Sequence, residues 1–308
     1  MKSGSNLEKV LSKGEFALTG ECGPPRGADV DVIRKKAGHL RGYVDAVNVT
    51  DNQTSIVRMS SIGASKVLID LGLEPVMQMV CRDRNRIAIQ SDVFGAYALG
   101  IRNMLCLSGD HQSFGNQKDA KNVYDIDSIQ LVNVVYTMRE EGKLLGGDEI
   151  EGKPSMFIGA AENPFGDPFD FRPIRLAKKV AAGVDFIQTQ CIYNMPKFRE
   201  FMKRVVDMGL TEKCHVMAGI TPLKSLPMAK YMATKVSGID IPKEILDRME
   251  GVEKKKRAEE GIKLAIEQIQ EVRQIPGVHG VHLMAIEWEE RVPEIAKGAG
   301  LHPRPTLE

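Results

Sequence analysis

The chain has 308 residues, with 42 Lys and Arg against 41 Asp and Glu and a formal net charge of +1. Cations and anions alternate along its whole length, which excludes the basic footprint of a nucleic-acid-binding protein. A hydrophobic fraction of 43% with only 6% aromatic residues describes a globular α/β chain, and (β/α)8 barrels of this length commonly form one domain.

Short apolar runs predict strands at residues 15–22, 45–50, 74–80, 103–108, 155–161, 185–190, 215–219 and 280–285. Between them, helical stretches are expected at 30–40, 60–71, 86–99, 127–140, 173–182, 196–207, across a long region at 228–273, and at 293–298. Strand starts recur at roughly 30 residues, the length of one βα unit with its crossover. Gly72, Gly100, Gly183 and Gly209 follow the ends of helical stretches, as C-terminal glycines do. Near-continuous apolar strands alternating with helices imply parallel pairing buried on both faces. Eight such beats predict a closed (β/α)8 TIM barrel, a single domain over 1–308, in preference to an open doubly wound sheet. The run Glu253 to Glu260 is expected to form a solvated helix face, and residues 110–125 a long polar loop after the fourth strand.

Five widely separated cysteines (Cys22, Cys81, Cys106, Cys191 and Cys214) have no C-x-x-C spacing, which argues against a disulfide framework and against a zinc site built from this chain. The N-terminus precedes no apolar core of signal-peptide type, and no apolar run reaches membrane-spanning length. A soluble, cytoplasmic protein without a membrane partner is the expectation.

In a barrel of this kind, chemistry sits where strands deliver polar groups to their carboxyl ends. The segment Thr19-Gly20-Glu21-Cys22-Gly23-Pro24-Pro25 sets one carboxylate at such an end, among small and apolar residues. Burial of that kind disfavours ionisation and suits a general acid, although a strand-end Glu also serves as an ordinary ion-pair partner. The other ends carry Thr50 with Asp51 and Asn52, Gln78 with Arg82, Gly109 with Asp110, Glu162 with Asn163, Gln188 with Gln190, Thr221 and Glu287. No phosphate loop, dinucleotide fingerprint, nucleophile elbow or H-E-x-x-H motif is present. His111, His215, His279 and His282 lack metal-ligand spacing and are expected to be hydrogen-bonded structural residues, with no metal site. Carboxylates and amides without a nucleophile or metal suit a borrowed organic cofactor.

From about Phe16 to Pro305 the chain resembles the flavin-dependent methylenetetrahydrofolate reductase family. The matching motifs are Glu21-Cys22-Gly23-Pro24-Pro25, Val49-Thr50, Leu107-Ser108-Gly109-Asp110, the set Lys179, Gly183, Thr189 and Gln190, Ala218-Gly219-Ile220-Thr221-Pro222, and the ending Gly300 to Pro305. Their shared order and spacing is what makes the resemblance specific.

The resemblance implies reduction of 5,10-methylenetetrahydrofolate to 5-methyltetrahydrofolate. Glu21 would protonate N10 to open the five-membered ring, and hydride would pass from flavin N5 to the iminium carbon. It implies FAD as cofactor, with Thr50, Gln78, Gly109, Asp110, Ala160 and Lys179 as contacts, Lys179 being available to the pyrophosphate. Asp110 would also tune the reaction electrostatically, and Gln190, Asp110 and Leu226 would contact the folate. NADH or NADPH is compatible as electron donor, and the resemblance leaves the donor open. Similar forms in acetate-forming bacteria work beside a small zinc-containing partner subunit within electron-transfer assemblies, and a homo-oligomer is also compatible. The chain departs from the family pattern at Gln78 (commonly His), Ser108 (commonly Arg), Glu162 (Tyr), Gly166 (His) and Leu226 (an aromatic). These departures fall on the flavin and electron-donor contacts. They keep open a pterin-binding (β/α)8 methyltransferase, or a non-catalytic folate-binding scaffold subunit.

Overall fold

The structure is a computed structural model and describes residues 1–307. Eight parallel strands close into a barrel in sequence order: β1 (Ala17–Cys22), β2 (Ala46–Val49), β3 (Pro75–Val80), β4 (Asn103–Leu107), β5 (Phe157–Glu162), β6 (Phe186–Cys191), β7 (His215–Ile220) and β8 (Val278–Leu283). Closure runs through β1 and β8, with Ala17 opposite Gly280 and Thr19 opposite His282. Each strand lies within a few residues of its expected place, because strands buried on both faces read as unbroken apolar runs.

The helices are α1 (Asn6–Ser12), α2 (Asp31–Leu40), α3 (Ser61–Asp70), α4 (Arg86–Ala98), α5 (Ser128–Glu140), α6 (Phe171–Ala181), α7 (Met195–Asp207), α8 (Leu226–Lys235), α9 (Lys243–Gly251), α10 (Arg257–Val272) and α11 (Val292–Gly298). Side-chain caps set several starts: Asn85 accepts from the amides of Ile87 and Ala88, and Asp127 forms a reciprocal capping box with Gln130, satisfying otherwise orphaned amides. The expected long helical region at 228–273 is divided. Gly238, at φ +81°, and Pro242 separate α8 from α9. The charged run after it is not simply a solvated face, since Arg248 of α9 pairs with Glu260 and Glu267 of α10.

Inward side chains change character along the barrel axis. At the amino-terminal end Ala17, Val76, Leu105, Phe157, Phe186 and Met217 pack together, and Leu7, Val10 and Leu11 of α1 plug them from below. Phe186 stacks on Phe157 with ring centroids 5.1 Å apart, and its ring lies where a Cβ on Gly159 would stand, 2.3 Å from Cζ. Above this plug the interior turns polar, with Thr19, Asn48, Gln188 and His282 all buried. The outward faces of the strands pack on the helices in one continuous apolar shell. Arg304, in the Gly300–Pro305 ending, donates to the carbonyls of Leu301 and Phe16 and pairs with Asp45, so this motif braces the barrel far from the polar face. Among the described residues no helix is long and apolar enough to cross a membrane.

Candidate active site

A cavity of about 350 Å³ opens at the carboxyl ends of the strands, and Glu21, Thr50, Gln78, Gly109, Asp110 and Gln190 all line it. Strand alternation explains the set, because residues two apart on one strand share a face: Thr19 and Glu21, Gln188 and Gln190, His282 and Met284 point the same way.

Glu21 is only 7% exposed. Its Oε2 lies 3.7 Å from Nε2 of His282. The other ring nitrogen of His282 lies 3.0 Å from the Thr19 hydroxyl, and that hydroxyl accepts from Nε2 of Gln188 at 3.1 Å. Gln188 in turn exchanges two hydrogen bonds with Asn48, of 2.6 and 3.1 Å. The Thr19 hydroxyl, with one hydrogen and two lone pairs, can accept from Gln188 and still give its hydrogen to Nδ1 of His282 or accept from it. When it donates, the imidazole carries its proton on Nε2, facing Glu21. His282 was expected to be a merely structural histidine. Its role shows only when β8 closes against β1, although its place one strand step before Met284 at a carboxyl end was a usable signal.

Asp110 is exposed at the rim, where its Oδ2 accepts from the Thr54 amide at 3.2 Å. The buried Arg82 donates from Nη1 to the Asp110 carbonyl at 3.1 Å and pairs with Asp83. Burial works against its charge, yet the Asp83 carboxylate holds the guanidinium above its ordinary pKa. The Asn52–Ser55 turn that meets Asp110 holds Asn52, Thr54 and Ser55 in the left-handed region at φ 45°, 54° and 58°, a strained arrangement for non-glycine residues.

A second cavity of about 300 Å³ adjoins the first, sharing Leu107, Ser108, Ala161 and Gln190 with it. Lys179 lies here together with Arg172 and Arg175, all three on α6 at positions i, i+3 and i+7. That spacing puts three cations on one helix face. The two arginines escaped the sequence reading, although the spacing was visible in it. Lys179 pairs with Glu162 at 2.6 Å, and burial pushes its pKa down against the pull of that carboxylate.

Two expected contacts are corrected. Ala160 is buried in the shell between strands and helices, and its neighbour Ala161 faces the cavity, because alternate residues of a strand point to opposite faces. Leu226 begins α8 and is buried in a separate apolar cluster with Tyr193, Leu223 and Met232, outside the cavity wall.

The residues present fit a flavin. Thr50 Oγ1 is buried on the cavity wall with no hydrogen-bond partner among the described residues, an orphan a ligand donor or acceptor would satisfy. Gly109 stands at φ +89°, and a Cβ there would come within 2.9 Å of the Val80 Cβ. Only glycine therefore fits this turn on the cavity wall. Arg175 has no hydrogen-bond or ion-pair partner among the described residues. Beyond these, no group of three or more His, Cys, Asp or Glu side chains among the described residues is placed to hold a metal ion.

Fold and site together define a (β/α)8 barrel with a polar carboxyl-end cavity whose wall carries the buried carboxylate of Glu21. Residues 6–300 match the family described as methylenetetrahydrofolate reductase, and the chain belongs to that family. It is similar to a probable methylenetetrahydrofolate reductase (NADPH) of Caenorhabditis elegans, 26% identical over 256 residues, covering 81% of this chain and 36% of that protein. It is also similar to methylenetetrahydrofolate reductase (NADH) 1 of Arabidopsis thaliana, 24% identical over 316 residues, covering 98% of this chain and 51% of that protein. The chain thus spans about a third to a half of the length of these curated relatives. Among solved structures, an uncharacterized protein from Clostridium thermocellum, described as binding two copies of 5-methyl-5,6,7,8-tetrahydrofolic acid, shares the fold. It has a TM-score of 0.65 at 13% identity and covers 96% of this chain and 98% of that one.

Proposed function

We propose that this chain is a flavin-dependent reductase that converts 5,10-methylenetetrahydrofolate to 5-methyltetrahydrofolate. The observation that carries the reading is the convergence of Glu21, Asp110 and Gln190 on one cavity of a barrel belonging to this family. The methyltetrahydrofolate named for the Clostridium thermocellum protein of the same fold accords with a folate ligand.

FAD, when bound, supplies the hydride. Thr50, Gln78, Gly109 and Asp110 would hold its ring system, and Arg172 and Arg175 would face its diphosphate, with Lys179 beside them paired to Glu162. Glu21 acts as general acid, delivering its proton to N10 of the folate so that the five-membered ring opens. Nε2 of His282 then faces, at 3.7 Å, the carboxylate that Glu21 becomes, an electrostatic contact at a mostly buried position. Asp110 sets a negative charge beside the cationic iminium that ring opening leaves on the pterin and favours it electrostatically. Gln190 offers both a donor and an acceptor to the amide-like edge of a pterin.

The test is an anaerobic titration of FAD-loaded protein with 5-methyltetrahydrofolate, the reverse half-reaction. Bleaching of the flavin absorbance is the expected result. A protein that binds the folate but cannot be loaded with flavin would instead be a pterin-binding transferase or scaffold. Repeating the titration with NADH and NADPH, the donors for which the relatives are named, shows whether a pyridine nucleotide or a partner subunit delivers electrons.

A further inference from the structure

The adjoining cavity holds three cations, but they are not equally available. Arg172 is committed through Nε to the Gly166 carbonyl at 2.7 Å and through Nη2 to the Asp167 carbonyl at 2.8 Å. Lys179 is more fully committed. Its ammonium donates to the Ala161 carbonyl and to Oε2 of Glu162, leaving one of its three hydrogens free. Glu162 is 2% exposed and Lys179 4%, and Oε1 of the carboxylate accepts from the Asn163 amide at 3.1 Å. A carboxylate held this firmly lines a cavity whose other charges suit a diphosphate.

Its effect on an incoming anion is twofold. It neutralises the lysine and occupies the direction from which a phosphate oxygen would approach the ammonium. It also repels the phosphate across a few ångströms of poorly screened space. The site therefore carries the net positive charge of its two arginines alone, with only Arg175 unpaired.

We propose that Glu162 is an affinity determinant that withholds Lys179 from the diphosphate of a bound dinucleotide, so that this chain holds its flavin weakly and exchangeably. This rests on the flavin reading above.

The experiment measures binding of FAD and riboflavin, by quenching of flavin fluorescence, to the full chain and to two variants. Glu162→Gln should tighten FAD binding by about tenfold or more, while riboflavin, which has the ring but no phosphate, changes by less than about twofold. Because that variant leaves a buried lysine without its partner, the double variant Glu162→Gln/Lys179→Met is measured beside it. If the two charges cancel, the double variant binds FAD within about threefold of the parent. If Lys179 already grips the diphosphate, it loses about tenfold or more, which overturns the proposal. Equal tightening of FAD and riboflavin by Glu162→Gln, or no tightening in a folded variant, also overturns it. NADH measured in the same way identifies the dinucleotide: tightening of NADH with FAD unchanged would assign the cavity to the electron donor and overturn the flavin assignment. Absence of flavin binding to all three proteins would overturn the functional reading itself, and with it this one.

Discussion

His282 presents Nε2 to the Glu21 carboxylate at 3.7 Å while its Nδ1 lies 3.0 Å from the Thr19 hydroxyl, so one ring joins the acid to a hydrogen-bond chain that crosses the barrel to Asn48. His282→Ala should therefore lower the rate of flavin reduction by 5-methyltetrahydrofolate by about 10- to 100-fold and leave FAD affinity unchanged. Thr19→Val, which removes only the hydroxyl partner of the ring, should give a smaller loss in the same half-reaction. Rapid-mixing traces measure both, and a His282→Ala protein with parental rates would return the residue to a packing role.

Glu21→Gln isolates the proton. The amide fills the same space and keeps the cavity polar, but cannot protonate N10. The folate half-reaction should fall by about 10²- to 10⁴-fold, while reoxidation of chemically reduced flavin by an artificial acceptor proceeds normally. Parallel loss of both half-reactions would point to a damaged flavin site instead.

The barrel was legible because its eight strands are buried on both faces and its helices end at glycines, signals that act over a few residues. The first helix was not legible: Asn6–Ser12 is two turns long, too short for a period of 3.6 to declare itself, and its apolar face matters only because it plugs a barrel. The site divides along the same line. Glu21, Asp110 and Gln190 sit at strand ends and could be read locally. The partnership of His282 with Thr19 spans 263 residues, and that of Glu162 with Lys179 needs β5 and α6 already packed. Ala160 was displaced by one step of strand alternation, too fine for a boundary set from apolar runs. Leu226 was assigned by likeness to a loop whose path here folds the side chain into a different cluster.

Gly159 offers a test of the lower core. The Phe186 ring occupies the space of its absent side chain, with Cζ 2.3 Å and Cε2 2.5 Å from where a Cβ would stand, and the ring is fully buried against Phe157. Gly159→Ala must push this ring into a packed layer, at a cost of about 1–3 kcal/mol or more. Thermal unfolding should show the loss. The companion Gly159→Ala/Phe186→Leu, which vacates the space, should recover part of it. A Gly159→Ala protein as stable as the parent would mean that the layer has room to spare.

At the opposite end from the active site, His215 and His279 meet edge to face with ring centroids 5.0 Å apart. Burial pushes the His215 imidazole down to about 4, with the neighbouring His279 adding to the effect, and burial lowers His279 as well. Both rings are thus neutral in the folded chain at pH values where the unfolded chain has begun to protonate its histidines, near 6.5. Between those two limits the unfolded state binds more protons, so stability rises with pH. Their contribution is complete above about pH 6.5 and is lost as the pH falls toward the folded value of about 4. The melting temperature of the parent should therefore drop between pH 7 and pH 5. Carboxylates titrate in the lower part of this range too, and the variant His215→Leu separates the contributions. It lacks the group with the larger displacement, so its melting temperature should fall less over the same interval. An equal fall in parent and variant would show that the acid sensitivity arises elsewhere.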